Sequence, residues 1–438
     1  MGIWNDQIKA YRSLLAKQMV GAHWYGPSIF AKMYGHIGGA DGDNGEYPRS
    51  VPFGAAKARL LSPTFKPIEV LTDFSTMGGW DMDVPIHYPL TEEAIYGDNE
   101  AKGRGEQKKI AYTKVYINQV TKVFKQSTGI MGDQALQNPS IIKKLLKNYQ
   151  QDIIMFHQDW QGYAPYDGLT NRWSRNVYKA LVDGGLAITK QSHPNFYVAG
   201  SGKATWSDTP ATYETNVANI LGELADTETD YFSTAIIENM IAEASSLRIL
   251  PAKLGKGDAE YYVIIIHPMQ ALQLKRDSKW YEAQKDANAR NEEINRLFTG
   301  KIEGYYAGAL VLVDQRAPGA KISGDTDTTI YGEAYSSTYG TVNYGNINPI
   351  ANPVDKSPRK LAFLLGASAV ACGQAKKLQF ESELDDFKRK TEHAGFATLG
   401  YARSDIYDND GYFGTANLLK ENASSLIVAT YSPSQLAW

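Results

Sequence analysis

Apolar positions between residues 139 and 160 recur at helical spacing. Ile142, Leu145, Leu146, Tyr149, Ile153, Phe156 and Trp160 step by 3, 1, 3, 4, 3 and 4, one continuous stripe of a helix. Asn138-Pro139 predicts its start, because Asn caps free amides and Pro fits the first helical position. Gly162 and Pro165 predict its end. At about 1.5 Å per residue the segment from Pro139 spans roughly 33 Å. A second stripe, Phe232, Ile236, Ile237, Met240, Ile241, Ala244 and Leu247, predicts a helix over residues 230–249, closed by Pro251. The unbroken apolar runs YYVIII (261–266) and ALVLV (309–313) read as buried strands, and residues 269–291 between them as a polar helix. Residues 396–401 and 426–431 read as closing strands. The Gly-, Thr-, Ser-, Asn- and Tyr-rich residues 318–359 read as a surface insertion.

Nearer the N-terminus the pattern is different. Ile8, Leu14, Leu15 and Met19 predict a short amphipathic helix within residues 5–20, after which residues 21–67 lose all period. Five glycines (Gly35 to Gly45) and four prolines (Pro48 to Pro67) crowd this stretch, which is unusually long for a structureless loop inside a compact domain. Trp24, Tyr25, Phe30 and Tyr34 make it too aromatic for a free tail, which favours an extended arm packed on another surface. Residues 80–90 (WDMDVPIHYPL) then alternate with a period of two, and residues 109–124 (KIAYTKVYINQVTKVF) are β-branched and aromatic without Gly or Pro. With the glycine-rich turn between them they predict a long two-stranded hairpin with a basic tip. A lone hairpin is marginal in water, so a partner surface must cover it.

Composition narrows the function classes. The 438 residues suit about two or three domains, and 43% hydrophobic with 21% charged residues is the balance of a globular protein. The formal charge of -3 argues against an electrostatically driven nucleic-acid binder. It is unevenly placed: residues 1–148 hold 18 basic and 14 acidic side chains, and residues 98–126 alone hold seven basic and three acidic. A solvated face explains that excess, and so does an interface pairing with an acidic patch of another copy. The single Cys372 excludes an internal disulfide. No run reaches the roughly 18 to 20 apolar residues of a membrane span. Asp6, Lys9, Arg12 and Lys17 interrupt any secretory segment, Asp6 spoils a myristoylation signal at Met1-Gly2, and the Asn422-Ala423-Ser424 sequon means little without secretion. Synthesis in the cytosol is the expectation.

Candidate chemistry fails its own tests. Gly200-Ser201-Gly202-Lys203 resembles a phosphate loop, but Tyr197 stands where the first glycine belongs and Ala204 follows the lysine. Gly366-Ala367-Ser368-Ala369-Val370 lacks the second glycine of a nucleophile elbow. Cys372 lies in an apolar run and reads as an inert thiol. None of the seven histidines falls at the i, i+4 spacing of a helical zinc site, and His157 reads as a packed helix residue. Glu92-Glu93 and Asp385-Asp386 are sequence neighbours, which do not face one another. Asp408 and Asp410 miss the calcium-loop register. Catalytic residues, metal ligands and cofactors are therefore expected to be none.

Residues 262–316 carry a resemblance. His267-Pro268 closes a strand, Leu274, Asp277 and Trp280 follow, and Asn295 with Leu297-Phe298-Thr299-Gly300 comes later. This block looks like the central segment of tailed-bacteriophage major capsid proteins. LLGASAV (364–370), DDF (385–387) and GFATLGY (395–401) resemble the motifs that follow it. The resemblance implies an α+β fold of the HK97 (Hong Kong 97) type. Residues 1–79 would be the N-terminal arm, 80–126 the E-loop hairpin, 127–185 the peripheral domain with its long spine helix, 186–375 the axial domain with insertions at 186–229 and 318–359, and 376–438 the return to the peripheral domain. It implies a virion subunit assembled in the host cytoplasm. Its partners would be itself in hexamers and pentamers, scaffolding, portal and decoration proteins, and packaged double-stranded DNA held non-specifically, with no membrane. Lys102, Arg104, Lys108 and Lys109 at the hairpin tip, with Trp24, Tyr25 and Phe30 in the arm, are the expected inter-subunit contacts. A tail component or adhesin, and a carbohydrate-active enzyme using the Tyr- and Trp-rich surface, are the rival readings; the enzyme needs two facing carboxylates that no segment signals.

Overall fold

A computed structural model describes residues 34–36, 67–71, 80–87, 110–127, 153–177 (except 155 and 158–159), 193–253 (except 206 and 208–209), 260–283, 302–322, 342–344, 358–385, 390–404 and 424–432. Strands are numbered β1 to β17 in chain order and helices α1 to α4.

The apolar runs build an eight-stranded sheet. Its order is β10 (Ile302–Tyr306), β11 (Ala309–Val313), β9 (Glu260–Ile266), β14 (Arg359–Leu365), β17 (Ser425–Tyr431), β6 (Phe196–Val198) and β7 (Gly202–Lys203), with β8 (Ala252–Lys253) also paired to β9. The pairs β9–β11 and β6–β17 are parallel and the others antiparallel. Both faces are covered, which is why the central strands read as unbroken apolar runs instead of alternating. Tyr262, Ile264, Ile266, Leu364 and Val428 share a core with Ile237 and Met240 of α3 (Thr234–Ser246) and with Ala271 and Leu274 of α4 (Pro268–Arg276). Val263, Ile265, Phe363 and Ile427 share another with Tyr213, Val217 and Leu221 of α2 (Pro210–Gly222) and with Tyr166 and Leu169 of α1 (residues 160–171). Phe196, Val198, Tyr213, Val217, Leu221 and Leu224, from the segment expected to be an insertion, are part of this core.

The second sheet has five strands, in the order β1 (Tyr34–His36), β2 (Ile68–Leu71), β15 (Val370–Asp385), β16 (Lys390–Arg403) and β5 (Asn118–Ser127). β15 and β16 form a long antiparallel hairpin, with register shifts between Gln374 and Gln379. Two small pairs complete the strands: β3 (Asp81–His87) with β4 (Ile110–Tyr116), and β12 (Ala320–Ile322) with β13 (Val342–Tyr344). α1 lies between the two sheets. Its Trp160 meets Tyr401 of β16, at 6.3 Å between ring centres, and its Tyr166 meets Phe363 of β14, at 5.2 Å.

Three expectations are corrected. The long helix does not end at Gly162 and Pro165. Helical residues at 153–154 and 156–157 precede α1, which carries through both positions to residue 171. Burial overrides the breakers: nearly every residue from 160 to 171 is enclosed between the sheets. The strand expected over 109–124 splits at Ile117, where β4 stops and β5 joins the other sheet. The polar helix after β9 is broken at Asp277, whose extended backbone (ψ 125°) stops α4. β17, within the expected closing strand, sits between β14 and β6 in the eight-stranded sheet, while residues 370–375 belong to the five-stranded one. Residues 425–430 are buried on both faces of the strand, which suits only a sheet covered on both sides.

The expected arm touches its own chain. β1 and β2 add in parallel at the edge of the five-stranded sheet, and Ile68 is fully buried there. The helices expected over residues 5–20 and 139–152 lie outside the described residues.

Candidate assembly surfaces

At the root of the β3–β4 hairpin the chain must leave one sheet and enter another. The apolar phase flips there: Val115 and Ile117 are buried on odd positions, and Val120 on an even one. Ile117 pairs with the carbonyl of Trp80 (2.8 Å), which closes the hairpin root. Val115, Ile117, Trp173, Val177, Ala371 and Ala402 form a small core of their own on the far side of the five-stranded sheet from α1. Tyr116 crosses the sheet at Gly400, where any Cβ would collide with the Tyr116 carbonyl oxygen; only glycine admits this approach.

Polar side chains lock the junction. β5 pairs with β16 only as far as Asn118 opposite Leu399. Beyond that point residues 173–176 take over the edge, with Trp173 bridging Ala402 and the Ser174 amide donating to the Tyr401 carbonyl at 2.8 Å. The Asn176 side-chain amide donates to the carbonyls of Leu399 (2.7 Å) and Asn118 (3.1 Å), and the Asn118 amide donates back to the Asn176 carbonyl (2.9 Å). Sequence reasoning missed this clamp. Its one readable signal was the phase flip across Ile117-Asn118.

Away from this root, the hairpin register runs from Asp81 opposite Tyr116 to His87 opposite Ile110, and no third described strand joins it. Large apolar side chains also remain in solvent elsewhere: Trp80 (62% exposed) beside the root, Val123 on β5, Leu250, Tyr281 (67%) and Tyr305. These are the described groups that a second copy could cover. Lys102, Arg104, Lys108, Lys109, Trp24, Tyr25 and Phe30 lie outside the described residues.

The buried titratable groups are structural. His157 Nε2 donates to the Gly395 carbonyl (3.1 Å), and burial lowers its pKa to about 4. His193 is buried against Ser425 (2.8 Å), its pKa pushed well down by burial and by Arg403. Burial raises the Cys372 thiol to about 12, so it stays protonated and inert. Gly200 and Gly202 form the β6–β7 turn with positive φ (76° and 92°), which accounts for the glycines without a phosphate. Among the described residues no cluster of three His, Cys, Asp or Glu could hold a metal, and no helix is long and apolar enough to cross a membrane.

The 262–316 motif proves to be a framework for α4. His267 Nδ1 accepts from the Met269 amide (3.2 Å), Gln270 Oε1 accepts from the His267 amide (2.8 Å), and Pro268 fills the first turn. Burial, then the charge of Lys360, lowers the His267 pKa to about 3 and keeps the ring neutral, able to accept. Gln270 reaches on to Thr430 of β17 (2.8 Å). Asp277 Oδ2 accepts from the amide (2.8 Å) and hydroxyl (2.6 Å) of Thr234, capping α3. Burial would raise the Asp277 carboxyl, but the bonds from Thr234 and the Lys279 amide outweigh it and hold the group below its ordinary range. Leu274 and Trp280 are buried. The spacing thus joins two helices and a sheet.

A family profile described as "Phage capsid protein" matches residues 55–433. The chain belongs to the phage capsid protein family. Three solved structures share the HK97-type α+β fold of this capsid protein. The capsid of Ralstonia phage GP4 is 15% identical with a TM-score of 0.53, covering 85% of this chain and 89% of that one. The cyanophage Pam1 capsid is also 15% identical at 0.53, covering 85% and 90%. The head of Helicobacter pylori bacteriophage KHP40 is 14% identical at 0.53, covering 85% and 89%. No curated protein matches the chain by sequence. As a phage capsid protein the chain is a structural component of the virion, and it associates with copies of itself in the shell.

Proposed function

We propose that this is the major capsid protein of a tailed phage, assembling as hexamers and pentamers into the icosahedral shell around double-stranded DNA. The observation that carries the reading is the β3–β4 hairpin, a separate two-stranded sheet that no third described strand joins. Two strands alone are marginal, and a neighbouring copy supplies the missing cover. Association is the whole mechanism, with no catalytic step. Burial of arm and hairpin drives it, and charge sets register. Trp24, Tyr25 and Phe30 would anchor the arm, and Lys102, Arg104, Lys108 and Lys109 would dock on an acidic patch of a neighbour.

Assembly takes place in the host cytoplasm, with scaffolding, portal and decoration proteins as further partners and DNA touched non-specifically. Electron microscopy of the expressed chain, alone and with its genomic neighbours, tests the reading: closed shells support it, and tubes or monodisperse monomer count against it. Charge reversal of the four basic tip residues should cut particle yield severely while leaving the monomer folded; an unchanged yield refutes the docking.

A further inference from the structure

A cluster of buried polar groups joins α1 to the eight-stranded sheet. Asp314, directly after β11, is fully buried, as are Tyr166 of α1 and, nearly so, Arg316. The Tyr166 hydroxyl donates to Asp314 Oδ2 at 3.0 Å, the Arg316 amide donates to Oδ1 at 3.2 Å, and the guanidinium lies 4.0 Å from Oδ1. The Asp314 amide in turn donates to the Ile266 carbonyl (2.9 Å), which roots the carboxylate in the sheet. On the helix side the Arg316 stem fills the space beside Gly162, where a Cβ would come within 2.7 Å of it, and its guanidinium stands 6.0 Å from the Tyr163 ring.

The same helix is fastened to the other sheet by different means. Trp160 packs on Tyr401, and Arg403 of β16 donates to the Leu169 carbonyl at 2.8 Å. Pro165, directly before Tyr166, has no amide to complete the helical rung to Gln161 and so marks where the helix bends most easily. Apolar contacts let packed surfaces slide. A buried carboxylate with a directed hydroxyl bond has far fewer acceptable arrangements.

We infer that the Tyr166–Asp314–Arg316 cluster is a latch that selects one angle between the two sheets, and thereby the curvature of the shell the copies build. The inference rests on the shell-forming reading above for its second half only. Tyr166→Phe removes the hydroxyl and nothing else, and Asp314→Asn keeps the shape while removing the charge. Both should give particles whose diameters spread at least twofold more widely than those of the wild type, or open sheets and tubes. Shells of the wild-type single diameter from both variants would overturn the latch.

A second readout does not need shells. Spin labels at the exposed positions Val123 and Tyr281, one on each side of α1, report the inter-sheet distance in the full-length soluble chain. Tyr166→Phe should broaden that distance distribution, and an unchanged distribution overturns the latch whether or not shells form. If Tyr166→Phe abolishes folding outright, the hydroxyl is a general support of the fold and the latch is likewise overturned. Absence of wild-type shells would strike the proposed function alone.

Discussion

The eight-stranded sheet and the β3–β4 hairpin are both made of strands, yet they stand in opposite relations to the rest of the chain. Every central strand of the sheet is covered on two faces by helices of the same polypeptide. Among the described contacts the hairpin is fixed at its root, by Tyr116 crossing at Gly400 and by the clamp of Asn118 and Asn176. The contrast teaches where free energy is spent. The sheet is stabilised within each copy; on the proposed function the hairpin is stabilised by assembly, so damage to one should show in folding and damage to the other in particles.

The largest effects separate the two. Phe363→Ala, at a fully buried ring against Tyr166, should cost about 3–5 kcal/mol, read as a lowered thermal midpoint and lost soluble protein. Thr113→Pro breaks the hairpin ladder opposite Val84. It should leave the thermal midpoint of the soluble chain nearly unmoved and abolish particles. Similar losses of midpoint in both variants would break the comparison.

Acid comes next. His157 is neutral in the fold with a pKa near 4, against about 6.5 when unfolded. Below pH 6.5 the unfolded chain takes up the proton and the folded one does not, so stability falls as pH drops. The loss from this group is complete near pH 4 and amounts to about 3 kcal/mol. His267, with a folded pKa near 3, extends the fall further. Denaturant titrations from pH 7 to pH 4 measure the slope, and a His157→Gln variant should flatten it; a flat wild-type profile refutes the assignment. A smaller effect sharpens the hairpin side. Asn176→Ala loses two carbonyl bonds at the root and should cost about 1–2 kcal/mol, with faster amide exchange confined to residues 117–119. The smallest is a gain. Arg248 ends α3 with φ 56°, and Arg248→Gly should stabilise by about 0.5–1 kcal/mol.

Periodicity made the regular parts legible. The 232–247 stripe became α3, YYVIII and ALVLV became adjacent parallel strands, and 396–401 lies within β16. What it concealed were decisions made between elements. Nothing local says that residues 425–431 should pair with residues 359–365, because an apolar run shows that a strand is buried and not beside whom. Gly162 and Pro165 read as stops because their local cost is visible in sequence, whereas the enclosure that offsets it is supplied by two sheets far apart in the chain. The chemistry of His267 and Asp277 was legible as a spacing, but its role as helix caps depended on Thr234 and Thr430, which no spacing connects. The clamp at Asn176 was invisible for the same reason: its acceptors are backbone carbonyls more than fifty residues away.

The placement of β17 has a consequence for synthesis. A ribosome making this chain has added β6 and β14 well before residues 425–431 appear, yet those residues fill the slot between β14 and β6 in the larger sheet. Until they emerge, the walls of that slot stand open, with unsatisfied edges on either side. A product that stops before residue 425 lacks this strand, and the facing edges of β14 and β6 stay unpaired.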